Sequence, residues 1–172
     1  MRTARRALAA GLGLALLTGC GFSTTGLSFS DDDRLEILEP EDREQLRLPV
    51  TIDWTIDDFE VTGPGRGSGD DEGYFAIFVD QAPVPSGKTL RHVARKDKTC
   101  RPADGCPDEE YLAARQVFTT TETRYVLETL PRTAREGRRE FHEITVVLLD
   151  ADGRRIGESA WYVRFELKRD VR

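Results

Sequence analysis

Few side chains in this 172-residue chain can do chemistry at neutral pH: three cysteines (Cys20, Cys100, Cys106) and two histidines (His92, His142). Cys100 and Cys106 have five residues between them. A redox pair would be Cys-x-x-Cys. A zinc site closed by His92 would offer too few ligands at the wrong spacing. A structural disulfide is therefore expected, given an oxidising compartment. His92 could serve as a general base with nearby carboxylates, the chemistry of a hydrolase. That alternative needs a nucleophile beside the base, and no Gly-x-Ser-x-Gly elbow occurs. His142 is expected to pack or bond locally at the start of a strand. No catalytic residue, cofactor or metal site is assigned, and the chain is expected not to be an enzyme.

Other motifs are weaker. Ser86-Gly87-Lys88-Thr89 has the end of a phosphate-binding loop, but Ala82 stands where a glycine is required, so a proline-rich loop is expected. Asp150-Ala151-Asp152-Gly153 begins like a calcium loop but lacks the later ligands and closing glutamate. Between two apolar alternations it reads as a hairpin turn. The runs Asp31, Asp32, Asp33 and Asp70, Asp71, Glu72 could gather calcium if folded together, the basis of a calcium-stabilised adhesin-like alternative; solvated runs are expected. Trp161 and Tyr162 are adjacent, so on a strand only one faces outward. Tyr162 with Tyr74 is a conceivable sugar platform, though packing is expected.

These residues need elements to position them. In residues 48–56 Leu48, Val50, Ile52, Trp54 and Ile56 alternate with polar residues, the period of a half-buried strand. Residues 35–38 carry a shorter strand signal. Residues 62–72 are a glycine-rich loop. Residues 73–79 are apolar on both faces and read as a central strand. Residues 80–115 break the pattern with Pro83, Pro85 and Gly87. They form a long insertion, with a short helix or strand at 89–94 and a short helix at 107–114 that has Pro107 at its first position and acids in its first turn. Strands return at 116–119, 124–127, 141–149 and 157–168, with a basic loop at 132–139. In the last strand Trp161, Val163, Phe165 and Leu167 share a face. About seven short strands predict an all-β antiparallel sandwich over residues 34–172.

The first six residues hold three arginines and no acid, and residues 7–17 are apolar. That is a secretory signal pattern, too short to span a bilayer; no later stretch qualifies. Arg5-Arg6 fits twin-arginine export poorly. The segment ends in Leu17-Thr18-Gly19-Cys20, which resembles the lipobox of bacterial lipoproteins. The resemblance implies cleavage of residues 1–19, a diacylglyceryl group on the Cys20 thiol and acylation of its amine. It also implies an extracytoplasmic protein anchored to the cell membrane or, since Gly21 rather than Asp follows the cysteine, the outer membrane. Several acyl chains make such an anchor stable. Residues 20–33 read as a flexible tether of about 20 Å reach.

From about residue 35 to 168 the order of features is similar to a fibronectin type III or immunoglobulin-like sandwich. Trp54 lies on the second strand, Leu130-Pro131 ends the fifth, and 141–149 and 157–168 form a hairpin through the Asp-Gly turn. Phe141 or His142 stands where a tyrosine corner would put tyrosine, and the insertion also departs from the simple module. Such a fold carries no activity of its own.

Removing residues 1–19 takes the formal charge from −6 to −9 and leaves 153 residues, enough for one domain with its own core. The arginines are spread along the chain rather than gathered in a stripe. Net acidity makes nucleic acid and anionic lipid heads poor partners. The expected function is a non-catalytic, lipid-anchored binding or structural module for an envelope protein or glycan. The insertion is its expected contact patch, since rigid scaffolds carry function on loops.

Overall fold

The computed structural model of the chain describes residues 32–67, 69–135 and 138–169. Cys20, the signal segment 1–19 and the tether to residue 31 lie outside the described residues.

The described residues are almost all strand and loop. The strands are β1 (Leu35–Glu39), β2 (Glu44–Leu46), β3 (Val50–Ile56), β4 (Glu60–Val61), β5 (Glu72–Val79), β6 (Val117–Thr120), β7 (Arg124–Leu127), β8 (Glu140–Leu149) and β9 (Trp161–Leu167). A 3₁₀ turn (Leu90–Ala94) and one short helix, α1 (Glu109–Ala113), lie between β5 and β6. The smaller sheet runs β1-β3-β7. The larger runs β2-β9-β8-β5-β4, with β6 also paired to β5.

The expected all-β architecture is present, with nine strands rather than about seven. The two additions, β2 and β4, are three and two residues long and pair parallel to β9 and β5. They are too short and polar to show a period in sequence.

Alternation decides what each strand buries. Val50, Ile52 and Trp54 of β3, Leu35 of β1 and Leu127 of β7 face Phe75, Ile77 and Val79 of β5, Ile144, Val146 and Leu148 of β8, and Val163, Phe165 and Leu167 of β9. Trp54 meets Phe75 edge-on, with ring centroids 5.2 Å apart. Each such buried side chain contributes roughly 1.5–3 kcal/mol. β5 is apolar on both faces because both are covered: Tyr74, Ala76 and Phe78 point away from the sandwich, into a second cluster with Val147 and Leu149 of β8 and Val84, Leu112 and Val117.

That second cluster settles what residues 80–115 do locally. Val84 and Leu112 are buried on the outer face of the larger sheet, with Leu90 and Val93 packed against them. The insertion is therefore a cover over half of that face, not a projecting loop. Cys100 and Cys106 form the expected disulfide. Asp108 caps α1, its carboxylate accepting the Tyr111 N–H at 2.8 Å. Pro107 thus sits one residue before the cap, not at the first helical position. Arg155 ties the insertion to the β8–β9 connection, donating to the carbonyls of Val84, Glu158 and Ser159.

Strands β8 and β9 pair antiparallel as expected. The Asp-Gly turn lies within their connection: Asp150 Oδ1 accepts the N–H groups of Asp152 and Arg154, and Arg155 bridges back to Leu149.

Candidate functional site

The insertion leaves the other half of the outer face uncovered, and this half carries the candidate site. Along β8 and β9 the outward side chains are Phe141 opposite Glu166, Glu143 opposite Arg164, and Thr145 opposite Tyr162. Phe141 and Tyr162 are 53% and 61% exposed, the most exposed large hydrophobic side chains among the described residues. Four residues of strand separate their levels, about 13 Å. Between them Arg164 Nε donates to Glu143 Oε2 at 2.6 Å, and its guanidinium stands 5.5 Å from the Tyr162 ring centroid. The result is an aromatic–ion pair–aromatic stripe across β8 and β9. At the Phe141 end an open groove of about 480 Å³ is lined by Gln81, Ala82, Thr133, Phe141, Glu143 and Arg164, among others.

Beneath this groove the sandwich end is closed by charge rather than hydrocarbon. Asp80 follows β5 with φ 54°, a left-handed conformation. It donates its N–H to the Glu143 carbonyl at 2.8 Å and accepts the Glu143 N–H at Oδ1. Its Oδ2 lies 2.7 Å from His142 Nδ1. The His142 ring is buried and stacks on Phe165, with centroids 5.7 Å apart. Its Nε2 makes no hydrogen bond but faces Glu140 Oε1 at 3.3 Å. Glu140 is also buried. Arg169 donates to both its oxygens, at 2.7 and 2.8 Å, and the Thr133 N–H donates at 3.1 Å. The Arg169 guanidinium, helped by the Thr133 N–H, holds the Glu140 carboxyl down at about 2 against the desolvation that opposes it.

His142 therefore packs and bonds locally, as expected. With one nitrogen on Asp80, the other toward Glu140 and the ring buried, it offers no nitrogen to a substrate. The Asp80–His142–Glu140–Arg169 chain was not foreseen. Its signal was available: Glu140 and His142 share the inward parity of Ile144, so two ionisable groups sat at core positions.

The remaining sequence candidates separate. His92 lies on the 3₁₀ turn; burial first, then Arg95 and Lys88, push its imidazole below the ordinary histidine range. Among the described residues no carboxylate bonds to it. The Ser86–Thr89 segment is a pinned loop: the Gly87 N–H donates to the Arg155 carbonyl, and the Gly87 carbonyl accepts from Arg154. Tyr74 is 5% exposed beneath the insertion, so a Tyr162–Tyr74 sugar platform does not form; Phe141 is the aromatic exposed with Tyr162 on the uncovered half of that face. Trp161 points inward and donates its indole N–H to the Asp32 carbonyl at 3.2 Å. Asp31 is outside the described residues, and Asp32 is committed to Arg34 at 2.8 Å. Among the described residues no group of three or more His, Cys, Asp or Glu side chains is placed to hold a metal ion, and no helix is long and apolar enough to cross a membrane.

No family model matches the chain, and neither a curated protein nor a solved structure matches it.

Proposed function

We propose that this chain is a lipid-anchored envelope lipoprotein of bacteria whose immunoglobulin- or fibronectin III-like sandwich is a non-catalytic binding module. The anchor reading rests on Leu17-Thr18-Gly19-Cys20 behind a basic, then apolar, leader. A disulfide between Cys100 and Cys106 fits an oxidising compartment outside the cytoplasm.

The observation that carries the binding role is the uncovered stripe. A sheet whose other half is roofed by the chain's own insertion keeps Phe141 and Tyr162 in water, flanking the Arg164–Glu143 pair. Exposed aromatics around a paired arginine have the composition of an interface centre. The contact surface thus moves from the insertion alone to the stripe and the groove where the insertion begins. A protein or glycan of the envelope is the proposed ligand.

Two measurements test this reading. Metabolic labelling with a fatty acid should mark the wild-type protein and not Cys20→Ser. Unlabelled wild type removes the anchor. Crosslinking in intact cells, with a photoreactive residue at position 141 or 162, should give one discrete adduct that the same probe at exposed Leu38 does not. Identical patterns from all three positions remove the stripe.

A further inference from the structure

Besides the basic loop at 132–139, the acidic domain carries a longer basic segment. Residues 88–101 hold six bases, Lys88, Arg91, Arg95, Lys96, Lys98 and Arg101, and one acid, Asp97. All six bases are exposed. None of them forms an ion pair with a described residue. The one acid is turned to structural use: Asp97 accepts the N–H groups of Thr99 and Cys100, the Tyr111 hydroxyl at 3.1 Å and Arg115 at 3.4 Å. Several arginines elsewhere on the domain are paired with carboxylates, among them Arg34, Arg124, Arg164 and Arg169.

The patch is also held in shape. The 3₁₀ turn packs Val93 and Leu90 on the sheet, the disulfide fixes Cys100, and Arg91 donates to the Arg101 carbonyl at 3.3 Å, joining the ends of the segment. The acids Asp104, Asp108, Glu109 and Glu110 come only after Cys100 in the chain. Burial first, with Arg95 and Lys88 adding to it, lowers the His92 pKa, and the two bases add in the direction of a positive local field. Charges beyond about 8 Å are largely screened at physiological salt, so this local excess, rather than the net charge, is what a facing surface meets.

We propose that the face formed by Lys88, Arg91, Arg95, Lys96, Lys98 and Arg101 docks on the phosphate headgroups of an anionic lipid bilayer. The choice of a bilayer over other polyanions rests on the lipid anchor of the preceding reading. A chain tethered twelve residues before Asp32 keeps the domain beside a membrane. The root of the patch is at the matching end of the fold: Leu90 donates to the Gly153 carbonyl in the β8–β9 connection, and β9 opens with Trp161, which holds Asp32. Lysine ammoniums and arginine guanidinium forks on flexible stems both suit headgroup phosphates, each basic residue adding about fivefold to binding near an anionic surface.

The chain has only four lysines, Lys88, Lys96, Lys98 and the exposed Lys168 at the end of β9, so amine labelling reads the patch against an internal control. The mature protein, extracted from envelopes, is reconstituted into vesicles of phosphatidylcholine alone or of phosphatidylcholine and phosphatidylglycerol in equal parts. It is then pulse-labelled and mapped by mass spectrometry. Phosphatidylglycerol should slow labelling of Lys88, Lys96 and Lys98 severalfold and leave Lys168 unchanged. High salt, or Arg91→Glu with Arg95→Glu, should abolish the protection. Equal labelling on both vesicle types overturns the proposal, as does protection that extends to Lys168 or that soluble polyphosphate gives and vesicles do not. Flotation with phosphatidylcholine alone reads the anchor separately: a protein that fails to float there, yet is protected on phosphatidylglycerol, has lost the anchor and kept the patch.

Discussion

At Glu140 a buried carboxylate meets two guanidinium hydrogen bonds and a backbone N–H, and its pKa falls from an ordinary 4.5 to about 2. A depressed acid stabilises the fold above its unfolded pKa, and that contribution is lost as pH falls through the folded one. The window is thus from about 4.5 down to about 2, and the contribution is about 3 kcal/mol. Urea unfolding should show the wild type weakening steeply across this window. Glu140→Gln should be less stable by about 2 kcal/mol near neutrality and should show a flatter acid limb; an unchanged limb would mean that Arg169 is not its partner in solution. Trp54 makes a different case. It is buried, yet its indole N–H finds no partner. Trp54→Phe removes that orphan along with some volume, so thermal melting should register a loss of only about 1–2 kcal/mol, against about 3–5 for Trp54→Ala.

Elements show where sequence was informative and where it was not. β3, β5, β8 and β9 were legible because each buries alternate or all side chains, and burial is what writes a period into sequence. β2 and β4 escaped because each carries only one apolar residue, Leu46 and Val61, over two or three residues, too few to write a period. The insertion was legible as irregular, but its role was not. Its buried side chains Val84, Ala94, Cys100 and Leu112 are scattered among prolines and charges, and only the fold brings Val84 and Leu112 onto Tyr74, Ala76 and Phe78. The Asp80–His142–Glu140 cluster was hidden for a similar reason: Asp80 is 60 residues and more from its partners in sequence. Gly73 is a local case. With φ 153°, a Cβ there would lie 1.9 Å from the Leu149 carbonyl oxygen, backbone that cannot step aside cheaply. Gly73→Ala should cost about 3 kcal/mol or more by chemical denaturation; a near-neutral result would mean that β5 and the end of β8 separate easily.

At the scale of the whole molecule, one sheet serves two cores. β5 and β8 send Phe75, Ile77, Ile144 and Val146 into the sandwich, and Ala76, Phe78, Val147 and Leu149 under the insertion. A strand cannot keep one face when it loses the other, so the insertion and the sandwich should unfold as a single cooperative unit. Ile52→Ala in the first core and Leu112→Ala in the second should each lower the same transition, by about 2–5 kcal/mol. Both indoles, Trp54 and Trp161, report on the sandwich. In reductant the Cys100 thiol, otherwise 4% exposed, reports on the insertion. Tryptophan fluorescence and thiol labelling across a urea series should therefore give coincident midpoints in both variants. Reduction itself should cost about 2 kcal/mol by the loop-closure argument, lowering both midpoints together. Were Leu112→Ala to advance thiol labelling and leave the indole transition in place, the insertion would be an independent lid, and deletion of residues 95–110 would then leave a folded sandwich. Coincidence instead makes that deletion destabilising, because it takes away the disulfide and the Asp108 cap that hold Leu112 over the sheet.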